Sequence, residues 1–306
     1  MAKLKKVLLL GANGQLGTAL QKLYPNPEIY GFEWIPSTRK DCDLIDNNIL
    51  AKYLEKVSPD IIVNAAAYTN VDGAENDQDI CNLVNFSVPS TIQLYCDIME
   101  RHLIHISTDF VFGGTPKASF VETDEHAPLN VYGFTKSKAD KALMENGKEY
   151  VYILRTSWLY GPRAWGKSFY KSIMDRAEAG GALKVVTDEV GSPTSTISLS
   201  RVIFRIITDL ISGNPLSCGT YHCADEGSVS RFDFAKAIIE LDSQTKQVPI
   251  SEITSDELPP RAAVRPKNST LNCDKLKYHY PDLVRPWEEG LKTVYSIDKR
   301  EQDEKI

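Results

Sequence analysis

The residues that most restrict the fold are Gly11, Gly14 and Gly17, spaced G-x-x-G-x-x-G. A short apolar run, Lys5 to Leu10 (KKVLLL), leads straight into them, and Thr18 to Leu23 follows with helical spacing. The run has the length and composition of a buried parallel strand. Glycines in such a connection permit a tight turn and close backbone approach, and the first turn of the helix offers free N–H groups to a pyrophosphate. A plain strand-to-helix turn rarely needs three glycines at this spacing. The N-terminal segment is therefore expected to open a βα unit that binds a dinucleotide at the strand tip.

The alternation continues. Glu28 to Trp34 reads as a second strand, Ile49 to Val57 as a helix ended by Pro59, and Asp60 to Asn64 as a third strand. Ala65-Ala66-Ala67-Tyr68-Thr69 follows, with small residues that let a ligand lie against the backbone or a helix pack close to the sheet. Val71 to Glu75 begins the next helical region. Asn85 to Arg101 reads as a long helix, Leu103 to Ser107 as a strand, Tyr132 to Asn146 as a helix and Tyr150 to Leu154 as a strand. Beyond Pro162 the pattern loosens into helical stretches near 167–180, 198–212 and 230–241, with short strands near 183–187 and 219–223. The expected architecture is α/β: a Rossmann-type doubly wound parallel sheet over residues 1–160, and a smaller C-terminal α/β substrate lobe over 161–306 with some segments returning to the first domain. The charged tail, Asp298 to Ile306, is expected to fray.

Chemistry collects around the fourth strand. Thr108 follows Leu103 to Ser107, which puts its hydroxyl at the strand's C-terminal tip, and Tyr132 and Lys136 lie one helical turn apart. An isolated tyrosine is a poor proton donor or acceptor at pH 7, with a pKa of about 10. A lysine ammonium one turn away favours the phenolate and is expected to lower that value. A Tyr-x-x-x-Lys pair alone fits an ordinary surface helix. The glycine loop and the strand ending at Thr108 turn the reading toward proton transfer at an oxygen on a bound carbon. Gly11, Ala67 and Thr108 all fall at strand C-terminal ends, the edge along which open α/β sheets bind ligands.

Glu33 stands about 20 residues past the glycine loop, where an acid usually takes the ribose hydroxyls of an adenosine. A solvent-facing acid at a strand end reads the same way. Ser37-Thr38-Arg39-Lys40 instead suits a 2′-phosphate, and Asp43-Leu44 sits in a loop suited to the adenine edge.

Composition narrows the partners. A chain of 306 residues, 42% hydrophobic and 25% charged, is ordinary for a soluble globular protein with a sizeable core. A net charge of −6 argues against a general nucleic-acid binder. No apolar run approaches the roughly 20 residues that span a bilayer, and Met1 to Lys6 leads into a first strand rather than a signal peptide. The cysteines, at 42, 81, 96, 218, 223 and 273, include no Cys-x-x-Cys, and the histidines lack zinc-ligand spacing. Free thiols in a reducing, cytoplasmic setting are expected, Cys218 and Cys223 among them, with no membrane and no metal.

Seven stretches carry a resemblance, and they keep their order along most of the chain. They are GANGQLG (11–17), IIVNAAAYTNVDGAE (61–75), HISTDFVFGG (105–114), PLNVYGFTK (128–136), LRTSWLYG (154–161), VVTDEVGSPT (185–194) and RPKNSTLN (265–272). They resemble the extended short-chain dehydrogenase/reductases, and among these the dTDP-4-dehydrorhamnose reductase family. The resemblance implies reduction of a nucleotide-linked 4-keto sugar, dTDP-4-dehydrorhamnose to dTDP-L-rhamnose, by hydride from NADPH or NADH. Carried over by position, it implies a catalytic set of Thr108, Tyr132 and Lys136. Cofactor contacts would come from Gly11, Gly14, Gln15, Leu16 and Gly17, from Glu33, Asp43, Leu44, Ala67, Tyr68 and Thr69, and from Tyr132 and Lys136, with Arg39 added by its charge. Substrate contacts would be Val71, Thr108, Asp109, Tyr132 and Trp158, although a tryptophan after a strand is equally ordinary in a core. Two departures stand out. Phe110 replaces a tyrosine common in the family. Ala19 stands where some members have a carboxylate that holds magnesium between subunits, so no metal is carried over. A homodimer is compatible with the resemblance.

The implied mechanism sends hydride to C4, with Tyr132 delivering the proton, Thr108 donating to the same oxygen, and Lys136 binding the nicotinamide ribose and keeping Tyr132 acidic. A dehydratase on this scaffold needs a further acid–base pair, commonly Thr-Asp-Glu, which Phe110 cannot supply. An epimerase uses the same three residues but recycles its cofactor. A non-catalytic regulatory subunit of the same fold has no need of all three. Both cofactors are expected to serve, with a modest preference for NADPH.

Overall fold

The structure is a computed structural model describing residues 3–114, 118–146 and 149–303. Its first half alternates strands and helices: β1 (Lys5–Leu10), α1 (Gln15–Leu23), β2 (Phe32–Ser37), α2 (Asn47–Val57), β3 (Ile61–Asn64), the short α3 (Val71–Ala74) and α4 (Gln78–Asn82), α5 (Val88–Met99), β4 (His102–Thr108), α6 (Val131–Asn146) and β5 (Val151–Thr156). These strands form one parallel sheet, extended beside β5 by the strand Gly219–His222 from the second half. The spatial order is β2-β1-β3-β4-β5 and then Gly219–His222. The direction of travel across the sheet reverses between β1 and β3, the switch point where open α/β sheets form their ligand crevice. The sheet is the doubly wound Rossmann type.

Alternation within each strand explains why both faces need cover. Val7 and Leu9 of β1 face Leu16 and Leu20 of α1 and the apolar stripe of the helix Thr196–Ser212, which includes Leu199, Ile203 and Ile207. Leu8 and Leu10 face the other way, onto Leu50 and Leu54 of α2, Ile92 and Cys96 of α5 and Leu143 of α6. Each such buried aliphatic side chain contributes about 1.5–3 kcal/mol. A separate core in the second half gathers Tyr160, Tyr170, Ile173, Phe234, Ile238 and Trp287. There Leu183–Val186 pairs in parallel with Ile250–Ile253, a strand whose residues show no clear alternation. All six cysteines are free.

Three boundaries differ from the sequence expectation. The second strand begins at Phe32, because Pro27–Tyr30 forms a tight 3-10 turn and Gly31 leaves it at φ 87°. Pro36 is tolerated within β2 because an edge strand needs no donor on its outer side. Helical structure starts at Gln78 rather than Asn85 and passes through a π turn at Leu83–Ser87 before α5. Pro89 has no N–H for the Asn85 carbonyl, and the turn just before it is widened, with the Val88 N–H donating to the Leu83 carbonyl. The tail is helical from Trp287 to Asp303, held by buried Leu291 and Val294. Its Asp298 carboxylate is buried and accepts from Arg163 Nε at 2.7 Å. Residues 304–306 of that tail lie outside the described residues.

A buried ion pair ties α6 to β5. Arg155 Nε donates to Asp140 Oδ2 at 2.8 Å, with the side chains 4% and 1% exposed. The same guanidinium donates to the Glu122 carbonyl at 3.1 Å and meets His126 Nε2 at 2.7 Å. Asp140→Ala strands the buried cation and is expected to cost about 3–5 kcal/mol, read as a lower urea midpoint. A midpoint at the wild-type value would show that Arg155 does not depend on its partner.

Candidate active site

A cleft of about 880 Å³ opens along the C-terminal edge of the sheet. Every strand from β1 to β5 sends its end into it: Gly11 after β1, Ser37 of β2, Ala65 after β3, Thr108 of β4 and Thr156 of β5. Its size lies toward the upper end of ligand pockets, roughly 300–1,000 Å³.

The three glycines have different duties. Gly11 sits at φ 79°, and a Cβ there would come within 2.9 Å of the Ala65 backbone across the switch point. Gly17 does not line the cleft; a Cβ on it would lie 2.4 Å from the Gly11 carbonyl oxygen, so it is the closure of the turn. Gly14 is the N-cap of α1, has no side-chain cap, and lines the cleft with Gln15 and Leu16. The first N–H groups of a nine-residue helix therefore open toward the cleft. Gln15 Nε2 donates to the Leu159 carbonyl at 3.3 Å, while its Oε1 is buried without a partner.

The far end of the cleft is walled by Ser37, Thr38, Arg39, Asp43 and Leu44. Asp41 ties this loop by accepting from the Thr38 backbone at 2.8 Å and hydroxyl at 2.7 Å. Arg39 is exposed beside it. Glu33 is not part of this wall, contrary to the sequence expectation. It pairs in register with Lys6, four residues before the tip at Ser37, or about 13 Å along a strand. The late start of β2 is the cause. Tyr68 is also displaced: its hydroxyl donates to Asp77 Oδ2 at 2.6 Å and its backbone N–H to Asn85 Oδ1 at 2.8 Å, turning the ring away from the cleft. Ala67, Thr69 and Val71 do line it.

Thr108, Tyr132 and Lys136 meet at the tip of β4. The Thr108 hydroxyl donates to Asp109 Oδ1 at 3.0 Å, accepts from the Phe110 N–H at 3.2 Å, and is hydrogen-bonded to the Tyr132 hydroxyl. Burial raises the Tyr132 pKa above its ordinary value, and nearby Asp109 adds to the rise. This reverses the expectation that Lys136 would lower it. The Lys136 amino group instead turns under the sheet, donating to the Ile106 carbonyl at 2.6 Å and lying 2.9 Å from His105 Nε2. Burial brings its own pKa down to about 8. A phenol that keeps its proton at neutral pH is in the state a proton donor requires.

The opposite wall is built on Asp109 and Trp158. Asp109 is buried, which raises its pKa, and it accepts from Ser157 Oγ at 2.8 Å. Trp158 lines the cleft at φ 47°, a conformation that costs a bulky residue about 1–3 kcal/mol. Its ring occupies the space of a side chain at Gly191, where a Cβ would lie 2.5 Å away, and the Arg231 guanidinium stacks 3.5 Å from its centroid. The Phe110 ring meets Tyr132 edge-on at 5.8 Å between centroids.

Sequence reasoning overlooked Ser107, Thr156 and Arg231, all of which line the cleft. The hydroxyls of Ser107 and Thr156 are buried without a partner. Ser107 was signalled by its place beside Thr108. Arg231 had no signal, because the second-half helix Arg231–Glu240 brings it in from a distant part of the chain.

The chain matches the family model described as RmlD substrate binding domain over residues 5–299. It is 33% identical over 293 residues to the dTDP-4-dehydrorhamnose reductase of Escherichia coli (strain K12), covering 94% of this chain and 96% of that one. Among solved structures it superposes with TM-score 0.86 and 34% identity on a dTDP-4-dehydrorhamnose reductase from Clostridium acetobutylicum ATCC 824, over 95% of this chain and 99% of that one. A dTDP-4-dehydrorhamnose reductase from Bacillus anthracis str. Ames in complex with NADP matches with TM-score 0.86, 32% identity and the same coverage.

Proposed function

This chain belongs to the dTDP-4-dehydrorhamnose reductase family, and from that premise we infer what its cleft does. It is an oxidoreductase that reduces the 4-keto group of dTDP-4-dehydrorhamnose, giving dTDP-rhamnose, with a nicotinamide cofactor. The observation that carries the assignment of roles is the meeting of Thr108, Tyr132 and Lys136 in the same cleft as the glycine turn. Residues at that turn fit a dinucleotide. Gly11 allows the two strand tips to close, and Gln15 Oε1, Ser107 Oγ and Thr156 Oγ1 are buried polar atoms without partners.

When bound, the reduced nicotinamide supplies the hydride. The first turn of α1, with Gly14, Gln15 and Leu16, would hold the pyrophosphate. Ala67 and Thr69 would line the path to the ribose, and Lys136 would hold its hydroxyls. Tyr132 gives its proton to the C4 oxygen as negative charge develops there, and Thr108 donates to the same atom. Val71, Asp109 and Trp158 border the sugar nucleotide. The three unpaired polar atoms are available to hold both ligands. We divide the chain into a dinucleotide-binding part, residues 1–160 joined by the returning segment 196–222, and a sugar-nucleotide lobe from the remainder of 161–306.

The assay that tests this reading follows absorbance of the reduced nicotinamide with dTDP-4-dehydrorhamnose as substrate. One cofactor oxidised per sugar is expected. Turnover of the sugar without net oxidation would point to an epimerase, and no turnover to a regulatory subunit. Among the described residues no helix is long and apolar enough to cross a membrane. We place the enzyme in the cytoplasm, a setting consistent with its free cysteines.

The displacement of Glu33 bears on cofactor choice. A carboxylate at the ribose would repel a 2′-phosphate, and Glu33 is too far back along β2 to do so. Arg39, with Ser37, is left to attract that phosphate, while Thr38 is held by Asp41. NADPH is therefore expected to be preferred clearly rather than modestly. Arg39→Ala should lower kcat/KM with NADPH by about 10–100-fold and leave NADH nearly unchanged. Equal losses with both cofactors would remove Arg39 from the recognition of the 2′-phosphate.

A further inference from the structure

β3 and β4 end side by side, with Asn64 in register with His105. Both side chains are buried, and neither enters the mechanism above. They form a directed chain of hydrogen bonds that ends on Lys136. The Ala66 N–H donates to Asn64 Oδ1 at 3.2 Å, which orients the amide. Asn64 Nδ2 then faces His105 Nδ1 as a donor, at 3.2 Å. Burial holds the His105 pKa well below its ordinary value, so the ring is neutral and has a single N–H. With Nδ1 accepting, that N–H is on Nε2, 2.9 Å from Lys136 Nζ. An N–H pointing at Nζ needs a lone pair there, which an amine has and an ammonium lacks. The amine in turn donates to the Ile106 carbonyl at 2.6 Å.

We propose that His105 is a positioning residue for the reduction: locked by Asn64 with its N–H toward Lys136, it favours the neutral amine form of that lysine in the free enzyme, and the ribose hydroxyls of the cofactor draw a proton onto it. The inference rests on the reading of the cleft as a nicotinamide site. The other groups facing Lys136 set the balance. Burial opposes the ammonium, while Asp140, one turn along α6 and paired with Arg155, favours it, and the pKa comes to rest near 8. Both forms are thus within reach of ordinary pH. The proton comes from solvent, and no covalent bond other than N–H changes.

The test is calorimetric titration with NADPH at pH 9, repeated in two buffers of different ionisation enthalpy. The 2′-phosphate titrates near about pH 6 and is silent there. With burial holding the lysine pKa down at about 8, the amine is the major form of the free enzyme at that pH, so wild type should take up a clear fraction of a proton per NADPH. Binding without proton uptake would overturn the proposal. Lys136→Met, titrated at higher cofactor concentration, should abolish the uptake, and persistence would assign the proton elsewhere and sink the idea. His105→Gln can turn a carbonyl toward the lysine and keep it charged, so its uptake should fall below half. Uptake equal to wild type would deny His105 its role. Failure of wild type to bind NADPH even at pH 7 would instead strike the reading of the cleft itself.

Discussion

Tyr132→Phe is expected to lower kcat by about 10²–10⁴-fold, the range for loss of a positioned proton donor. The reasons are geometric. The ring packs edge-on against Phe110 at 5.8 Å, and phenylalanine preserves that contact. Only the hydroxyl is lost, and with it the hydrogen bond to Thr108, whose own hydroxyl keeps Asp109 as a partner at 3.0 Å. Folding and KM for the cofactor should therefore stay near wild type, which a thermal melt and steady-state kinetics with dTDP-4-dehydrorhamnose would show. Because burial raises the Tyr132 pKa, the phenol holds its proton throughout the working range. The loss should be the same at each pH from about 6 to 8. A near-normal kcat with the fold intact would take Tyr132 out of the proton transfer.

The second large effect separates binding from stability at the glycine turn. Gly14→Val places a branched side chain at the mouth of α1, where a Cβ meets only the Gly11 carbonyl oxygen, at 3.3 Å. The fold should lose little, on the order of 1 kcal/mol, mostly from a poorer N-cap. The pyrophosphate's approach to the first N–H groups would be blocked, and NADPH affinity should fall by at least ~100-fold, about 2.7 kcal/mol. Gly17→Val acts differently. Its Cβ would overlap the Gly11 carbonyl oxygen at 2.4 Å and the Ala12 backbone at 2.7 Å, so the turn itself must open. A loss of about 1–3 kcal/mol or more is expected from such overpacking, along with cofactor binding. Fluorescence titration and urea denaturation of the two variants check this. Undiminished affinity in Gly14→Val would detach the turn from the cofactor, and wild-type stability in Gly17→Val would contradict the close approach.

Much of the scaffold was legible from local spacing. Val7 and Leu9 against Leu8 and Leu10 alternate as a two-sided buried strand must, and the helices that cover them repeat apolar residues at three and four. Gly11 to Gly17 announced a tight strand-to-helix turn, and Tyr132 and Lys136 share a helix face. The misplacements arose where one turn or one proline reset the register. Pro27–Tyr30 and Gly31 delayed β2, which moved the sheet edge from Glu33 to Ser37. Pro89 widened a helical turn that the apolar pattern alone reads as continuous.

By itself the sequence determined most strands and helices of the first half, the strand tips at Gly11 and Thr108, and the family to which the chain belongs, because these depend on neighbours within a few positions along the chain. Tertiary structure alone decided how the site residues are charged and what they face. Asp77 draws Tyr68 out of the cleft, and Arg231 arrives over Trp158 from a helix 73 residues later. Lys136 is directed to His105 and Ile106, on the strand beneath its helix, and not to Tyr132 on the same helix. Burial, which no local spacing encodes, then raises the pKa of the tyrosine and lowers that of the lysine, since each charged form loses its water.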